Sequence, residues 1–204
     1  MLTASVLIAS LSVGSALPSL SGGRRYNGKK LEAARDIGHS KYFTQTLDHF
    51  NRQDGRDFQQ RYFVNDTYWK GADSNAPVFM CVGGEGPPMD YEVLISSVHC
   101  NDMVELAPKH GALMVALEHR YYGPSQPFDD LSTANLAWLN SEQALGDIAS
   151  FHQLISNDYS TTGANKWVTW GGSYPGMMSA MARLRYPHLI WASVSSSSPI
   201  QAIV

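Results

Sequence analysis

The stretch from Trp167 to Met178 constrains this chain more than any other. Its apolar first half, Trp167 to Trp170, reads as a strand, breaks at Gly171 and Gly172, presents Ser173, and runs on into a helical pattern carrying Met177, Ala180, Met181 and Leu184. A chain can pass from strand to helix this abruptly only by bringing its backbone close to itself, and small residues permit that approach. A hydroxyl at such an apex stands clear of the backbone, which makes Ser173 a candidate nucleophile. The backbone N–H of Tyr174 opens the following helix and is a candidate oxyanion donor, a contribution of ~3 to 4 kcal/mol in acyl transfer. Pro175 stands where the common nucleophile-turn pattern has glycine, and Gly176 follows it. Proline is tolerated there because N–H groups in a first helical turn lack intrahelical partners. The competing reading is a glycine-rich connection with an incidental serine.

Two further continuous apolar runs, Ala76 to Val82 and Ala112 to Leu117, suit strands buried on both faces. Phe58 to Asn65 alternates as an outer strand does, and Ile190 to Val194 reads as a last strand. Between them, 102–110 reads as a helix capped by Gly111. A long helix starts near Asn140 with Gln143 as a reciprocal cap, and Ala144, Leu145, Ile148, Phe151 and Ile155 share one face. Strands alternating with helices predict an α/β fold, a mostly parallel sheet with helices on both faces. With 204 residues, 44% hydrophobic and 16% charged, the chain can bury one core, expected over 42–204.

Residues Leu2 to Val13 carry no polar group larger than serine or threonine and are followed by Gly14, Ser15 and Ala16, which reads as a secretory signal peptide over 1–16, too short to span a bilayer. Residues 17–41 show no period and read as a leader or extended arm. On the secretory route the sequon Asn65-Asp66-Thr67 becomes a candidate glycosylation site. Cys81 and Cys100 are the only cysteines of the 204 residues; they pair with each other, leave a buried free thiol, or have partners beyond Val204. The net charge of −3 gives no ground for a nucleic-acid or membrane partner, and no motif calls for a cofactor or a metal.

Gly83 to Pro87 closes the first buried strand at its carboxyl end, where parallel sheets place their ligands. Gly84 or Glu85 is the candidate second oxyanion donor, the alternative being a plain turn; no lysine follows with P-loop spacing. The block Glu118 to Gly123 mixes charge with aromatics, as a cluster that touches substrate could, but the favoured reading is structural, with Glu118 and Arg120 paired at the sheet edge. A serine nucleophile needs a base and an orienting acid, in the order serine, acid, histidine. Only His188 follows Ser173, at the amino end of a strand and away from the nucleophile, and no aspartate or glutamate follows at all.

The blocks Gly83 to Pro87, Leu117 to Gly123, Leu139 to Asp147 and Gly171 to Gly176, with Phe43 to Asn51 ahead of them, come in the order seen in the family of lysosomal Pro-Xaa carboxypeptidase, dipeptidyl peptidase II and thymus-specific serine protease, which the chain resembles from Tyr42 to Val204. The resemblance implies an α/β-hydrolase domain with a helical cap inserted after the strand that follows the nucleophile, and a serine, aspartate, histidine triad. It implies secreted or lysosomal peptidases, mostly glycosylated, that favour proline-containing peptides. Carried over by position, Ser173 is the nucleophile, Tyr174 N–H an oxyanion donor, and Gly84 and Glu85 line the site; the triad aspartate and histidine have no counterpart. The expectation is the N-terminal part of a serine exopeptidase, stopping where the cap begins, inactive alone and poorly soluble through an apolar edge at 190–194. The alternatives are a non-catalytic secreted protein that binds peptides or a partner, and a lipase or esterase on the same fold. Oligomeric state and the end of the peptide attacked stay open.

Overall fold

The computed structural model describes residues 39–96 and 100–201. The expected signal peptide over 1–16, and the leader as far as residue 38, lie outside the described residues. One six-stranded sheet runs in the order β1-β2-β4-β3-β5-β6, with β1 Lys41–Thr46, β2 Asp57–Asn65, β3 Val78–Val82, β4 Leu113–Leu117, β5 Trp167–Gly172 and β6 Ile190–Ser196. β1 pairs antiparallel with β2 and β2 antiparallel with β4, while β4, β3, β5 and β6 are mutually parallel. The helices are α1 Asn101–His110, α2 Ser141–Asp158 and α3 Tyr174–Arg185.

Every residue of β3 and β4 is buried, as continuous apolar runs require. Val78, Met80, Leu113 and Val115 face Ile148, Phe151 and Ile155 of α2 and Met178 and Ala182 of α3. Phe79, Cys81, Met114 and Ala116 point the other way, against Met103 and Ala107 of α1 and Trp170. Helices therefore cover both faces, as expected. On the α1 face Cys81 and Cys100 form a disulfide, which decides the pairing the sequence left open. Closing a loop of that size restrains the unfolded chain by ~3 kcal/mol.

β2 was expected on the outside, but β1 lies beyond it. The sequence hides β1 because its inward position at Gln45 is polar: the buried Gln45 amide donates to Gln60 Oε1 at 2.8 Å. A second departure concerns α3. The expected apolar face carried Met181 and Leu184, yet these are 38% and 75% exposed, while Gly176, Met178, Ser179 and Ala182 are buried. α3 sits so close to the sheet that a Cβ at Gly176 would lie 2.8 Å from both Gly171 O and Ser196 O. Small side chains make that contact, and Ser179 Oγ donates to Thr169 Oγ1 at 2.8 Å.

The cap of α2 also departs from expectation. Asn140 Oδ1 accepts from Gln143 N at 3.0 Å, but the Gln143 side chain does not return the bond. It reaches the N-terminal segment instead, accepting from His49 N at 2.9 Å and donating to Asp48 Oδ1 at 2.8 Å. This contact, first, holds the Asp48 carboxyl down at about 2.

Glu118 and Arg120 do not pair with each other. Arg120, wholly buried, makes two 2.7 Å bonds to the Asp147 carboxylate of α2 and donates to the carbonyls of Thr46, Leu47 and Trp138. Asp147 also takes His49 Nε2 at 2.8 Å. Glu118 instead meets Arg61 of β2 at 2.6 Å, Ser125 Oγ at 2.6 Å and Met89 N at 3.0 Å. Each charge finds a partner on another element because the two side chains belong to different layers of contact beyond the end of β4, and desolvated charges tolerate only fully bonded partners.

Removing one side of such a pair strands the other, so Asp147→Ala is expected to lower the unfolding free energy by about 3 to 5 kcal/mol in urea titrations. A loss within ~0.5 kcal/mol would show the pair to be dispensable. At the opposite end of the sheet, burial and then His188 hold the His152 imidazole, packed 4.4 Å from the Trp167 ring, down at about 4. The unfolded chain, titrating near pH 6.5, then binds more protons than the folded one, so stability falls as pH drops from about 6.5 towards 4. With part of that ring solvent-screened, the effect is on the order of 1 kcal/mol. His152→Phe is expected to flatten the decline of Tm between pH 7 and 4.5; an unaltered slope would assign it to other groups.

Candidate active site

The sheet order reverses at β3: the chain leaves β3 for β4 on one side and returns to β5 on the other. Connections departing in opposite directions open a crevice at the carboxyl ends of these neighbouring strands. Two loops meet in it, the one after β3 and the turn after β5.

β5 runs through Gly172, and α3 begins at Tyr174, leaving Ser173 as the whole connection. Its φ of 61° and ψ of −130° fall where a residue with a Cβ is costly, on the order of 1 to 3 kcal/mol. The surroundings impose the conformation. Ser173 N donates to Ser196 O at 2.9 Å, and Met177 N donates to Ser173 O at 3.0 Å. A Cβ at Gly171 would fall 2.3 Å from the Pro175 carbonyl group, so the tight return of the chain requires glycine there. Ser173 itself is exposed.

The loop after β3 presses onto the same turn. A Cβ on Gly84 would stand 2.2 Å from Pro175 Cγ and 3.4 Å from Tyr174 Cδ1, so only glycine lets that loop reach the start of α3. Glu85 is exposed at its tip. Ser173, Gly84, Glu85, Met89, His119 and Tyr122 are among the residues lining a cleft of about 470 Å³. The structure thus brings together Ser173, Gly84 and Glu85, with Tyr174 adjacent, while Tyr174 N–H, at the first helical position, has no intrahelical acceptor.

His119 precedes the serine, which sets it aside as the base, and the favoured reading of its block is structural, yet it lines the cleft. Its Nδ1 lies 2.7 Å from Arg120 O; a carbonyl only accepts, so Nδ1 carries the proton and Nε2 accepts from the Tyr174 hydroxyl at 3.1 Å. Burial, chiefly, pushes the imidazole below its usual range and keeps it neutral. Burial likewise pushes the Tyr174 phenol up. The sequence signal was the Glu118 to Gly123 block, whose partners cannot be read from spacing.

Among the described residues, no histidine or carboxylate hydrogen-bonds Ser173 Oγ. His188 stands two residues before β6 and lines a separate depression with His152, Trp167 and Trp191, at the amino ends of the strands. Among the described residues no group of three or more His, Cys, Asp or Glu side chains clusters as metal ligands. Asn65, in the sequon, is 8% exposed, and its Nδ2 donates to Leu94 O at 3.0 Å.

Among the described residues no helix is long and apolar enough to cross a membrane. Of solved structures, the proline iminopeptidase of Mycobacterium smegmatis superposes with a TM-score of 0.51 at 14% identity, over 78% of this chain and 44% of that one. That likeness shows the α/β-hydrolase fold. In sequence the chain is 43% identical to human thymus-specific serine protease over 163 residues, 80% of this chain and 30% of the relative. It is 35% identical to bovine lysosomal Pro-X carboxypeptidase over 165 residues, 78% of this chain and 31% of the relative. The chain spans less than a third of the length of these relatives. The model of the serine carboxypeptidase S28 family matches residues 45–204, and with a strained serine at the strand-to-helix turn of an α/β-hydrolase sheet, this chain belongs to that family of serine-type peptidases.

Proposed function

We propose that the complete protein is a serine-type exopeptidase acting on proline-containing peptides through an acyl-enzyme. Ser173 Oγ attacks the scissile carbonyl as a histidine base takes its proton. The N–H of Tyr174 and a second from Gly84 or Glu85 receive the oxyanion; the amine leaves with the proton the histidine took, and water, giving its own proton to that histidine, then releases the acyl group as Ser173 Oγ regains a proton. The observation that carries this reading is the enforced positive φ of Ser173, exposed at a turn against which the Gly84 loop is pressed. Backbone strain of that kind persists where a side chain must be aimed. Pro87, Pro88, Met89 and Val93 give the cleft an apolar wall of the sort a pyrrolidine ring needs.

The base and its orienting acid come from the remainder of the protein, since the described residues supply neither. The 204 residues alone are accordingly inactive in this reading. Its setting is the secretory pathway, extracellular or lysosomal. The buried disulfide, which an oxidising compartment favours, and the lysosomal relative support that setting.

In the complete protein, Ser173→Ala is expected to cut kcat/KM on a proline-containing dipeptide reporter by on the order of 10^4 to 10^6 with Tm retained. Activity surviving that substitution would assign the chemistry to another group.

A further inference from the structure

We propose that His119 and Ser141 are positioning residues: by gripping the Tyr174 phenol from two sides they fix where the Tyr174 backbone N–H points. The inference rests on the assignment of Ser173 as nucleophile and of that N–H as oxyanion donor.

An oxyanion donor works only within a few tenths of an ångström of its proper place. The peptide unit that carries the Tyr174 N–H is held on its carbonyl side only, where Ser173 O accepts from Met177 N at 3.0 Å. Tyr174 is the first residue of α3, so its N–H has no intrahelical bond, and the residue before it is strained. Its side chain supplies a second restraint. The ring packs edge-on against His119 with centroids 5.5 Å apart, and the hydroxyl bonds His119 Nε2 at 3.1 Å and lies 3.4 Å from Ser141 Oγ.

The direction of these bonds follows from the carbonyl at one end. Arg120 O forces the proton onto His119 Nδ1, so Nε2 accepts from the Tyr174 hydroxyl, whose lone pairs then accept from Ser141 Oγ. The frame closes on itself. Ser141 starts α2, and Asp147, further along the same helix, holds Arg120, the residue next to His119. The route runs from α2 through Tyr174, His119 and Arg120 back to α2, so movement of residue 174 would have to distort a buried ion pair. The Gly84 loop lies against the same ring, which places the second proposed donor on the same support.

The test is made in the complete protein, with each rate referred to active sites titrated by a phosphonate. Tyr174→Phe keeps the ring and loses the grip; His119→Leu removes the acceptor; His119→Gln restores an acceptor. Tyr174→Phe and His119→Leu are expected to lower kcat about tenfold, a fraction of the 10^2 to 10^3 lost when an oxyanion donor is removed outright, with KM within twofold. A peptide aldehyde, whose adduct with the serine places an oxyanion in the same spot, should lose affinity in parallel, and His119→Gln should recover most of both. A raised KM at unchanged kcat would make His119 a substrate contact and overturn the proposal. A lowered Tm with unchanged kcat per titrated site would reduce the grip to packing and overturn it too. Ser173→Ala run alongside separates the two levels: activity there removes the premise, whereas an inactive Ser173→Ala beside a fully active Tyr174→Phe removes this inference alone.

Discussion

Asp147 accepts two short charge-assisted bonds from Arg120 in a region closed to water, and the rest of the architecture is arranged around keeping both groups satisfied. Two desolvated charges are stable together only if their remaining donors and acceptors are also used. Here the guanidinium spends its other hydrogens on the carbonyls of Thr46, Leu47 and Trp138, and the carboxylate takes His49 and Gln60 as well. One ion pair thereby joins the carboxyl end of β4, the first half of α2 and the segment following β1. Gly146 belongs to the same design, since a Cβ there would lie 2.4 Å from His49 Cδ2.

That junction borders the cleft. Three successive residues at the end of β4 each reach a different part of it: Glu118 bonds the amide of Met89 in the loop that carries Gly84, His119 holds Tyr174, and Arg120 anchors α2. The site therefore sits between a rigid polar frame on one side and a strained turn on the other. Proteins commonly store such strain where a reacting group must be presented, and stabilise it through surrounding contacts. The glycines at 83, 84, 171 and 176 remove the Cβ atoms that would hold the frame and the turn apart.

Much of this was legible from residue order. The apolar runs of β3 and β4, the helical face of α2 from Ala144 to Ile155 and the turn at Ser173 all appear where their periodicity put them. β1 was not legible, because Gln45 is buried by bonding to Gln60 rather than by being apolar. The facing of α3 was misread because close helix-to-sheet packing selects Gly176, Ser179 and Ala182 over larger side chains. Gln143 had the spacing of a reciprocal cap but spends its amide on Asp48 and His49.

The sequence by itself determined most of the elements, their alternation and the strand-to-helix turn at Ser173, because hydrophobic period, glycine and proline act over a few neighbouring residues. It carried no information on which acid answers which base: Glu118 and Arg120 stand two places apart yet bind Arg61 and Asp147, partners 57 and 27 positions away. Only the tertiary structure decided those pairings, along with the Cys81–Cys100 bond and the grip on Tyr174. Buried polar groups are satisfied by whatever the folded layers bring within 3 Å, and that distance is set by the sheet order rather than by separation along the chain.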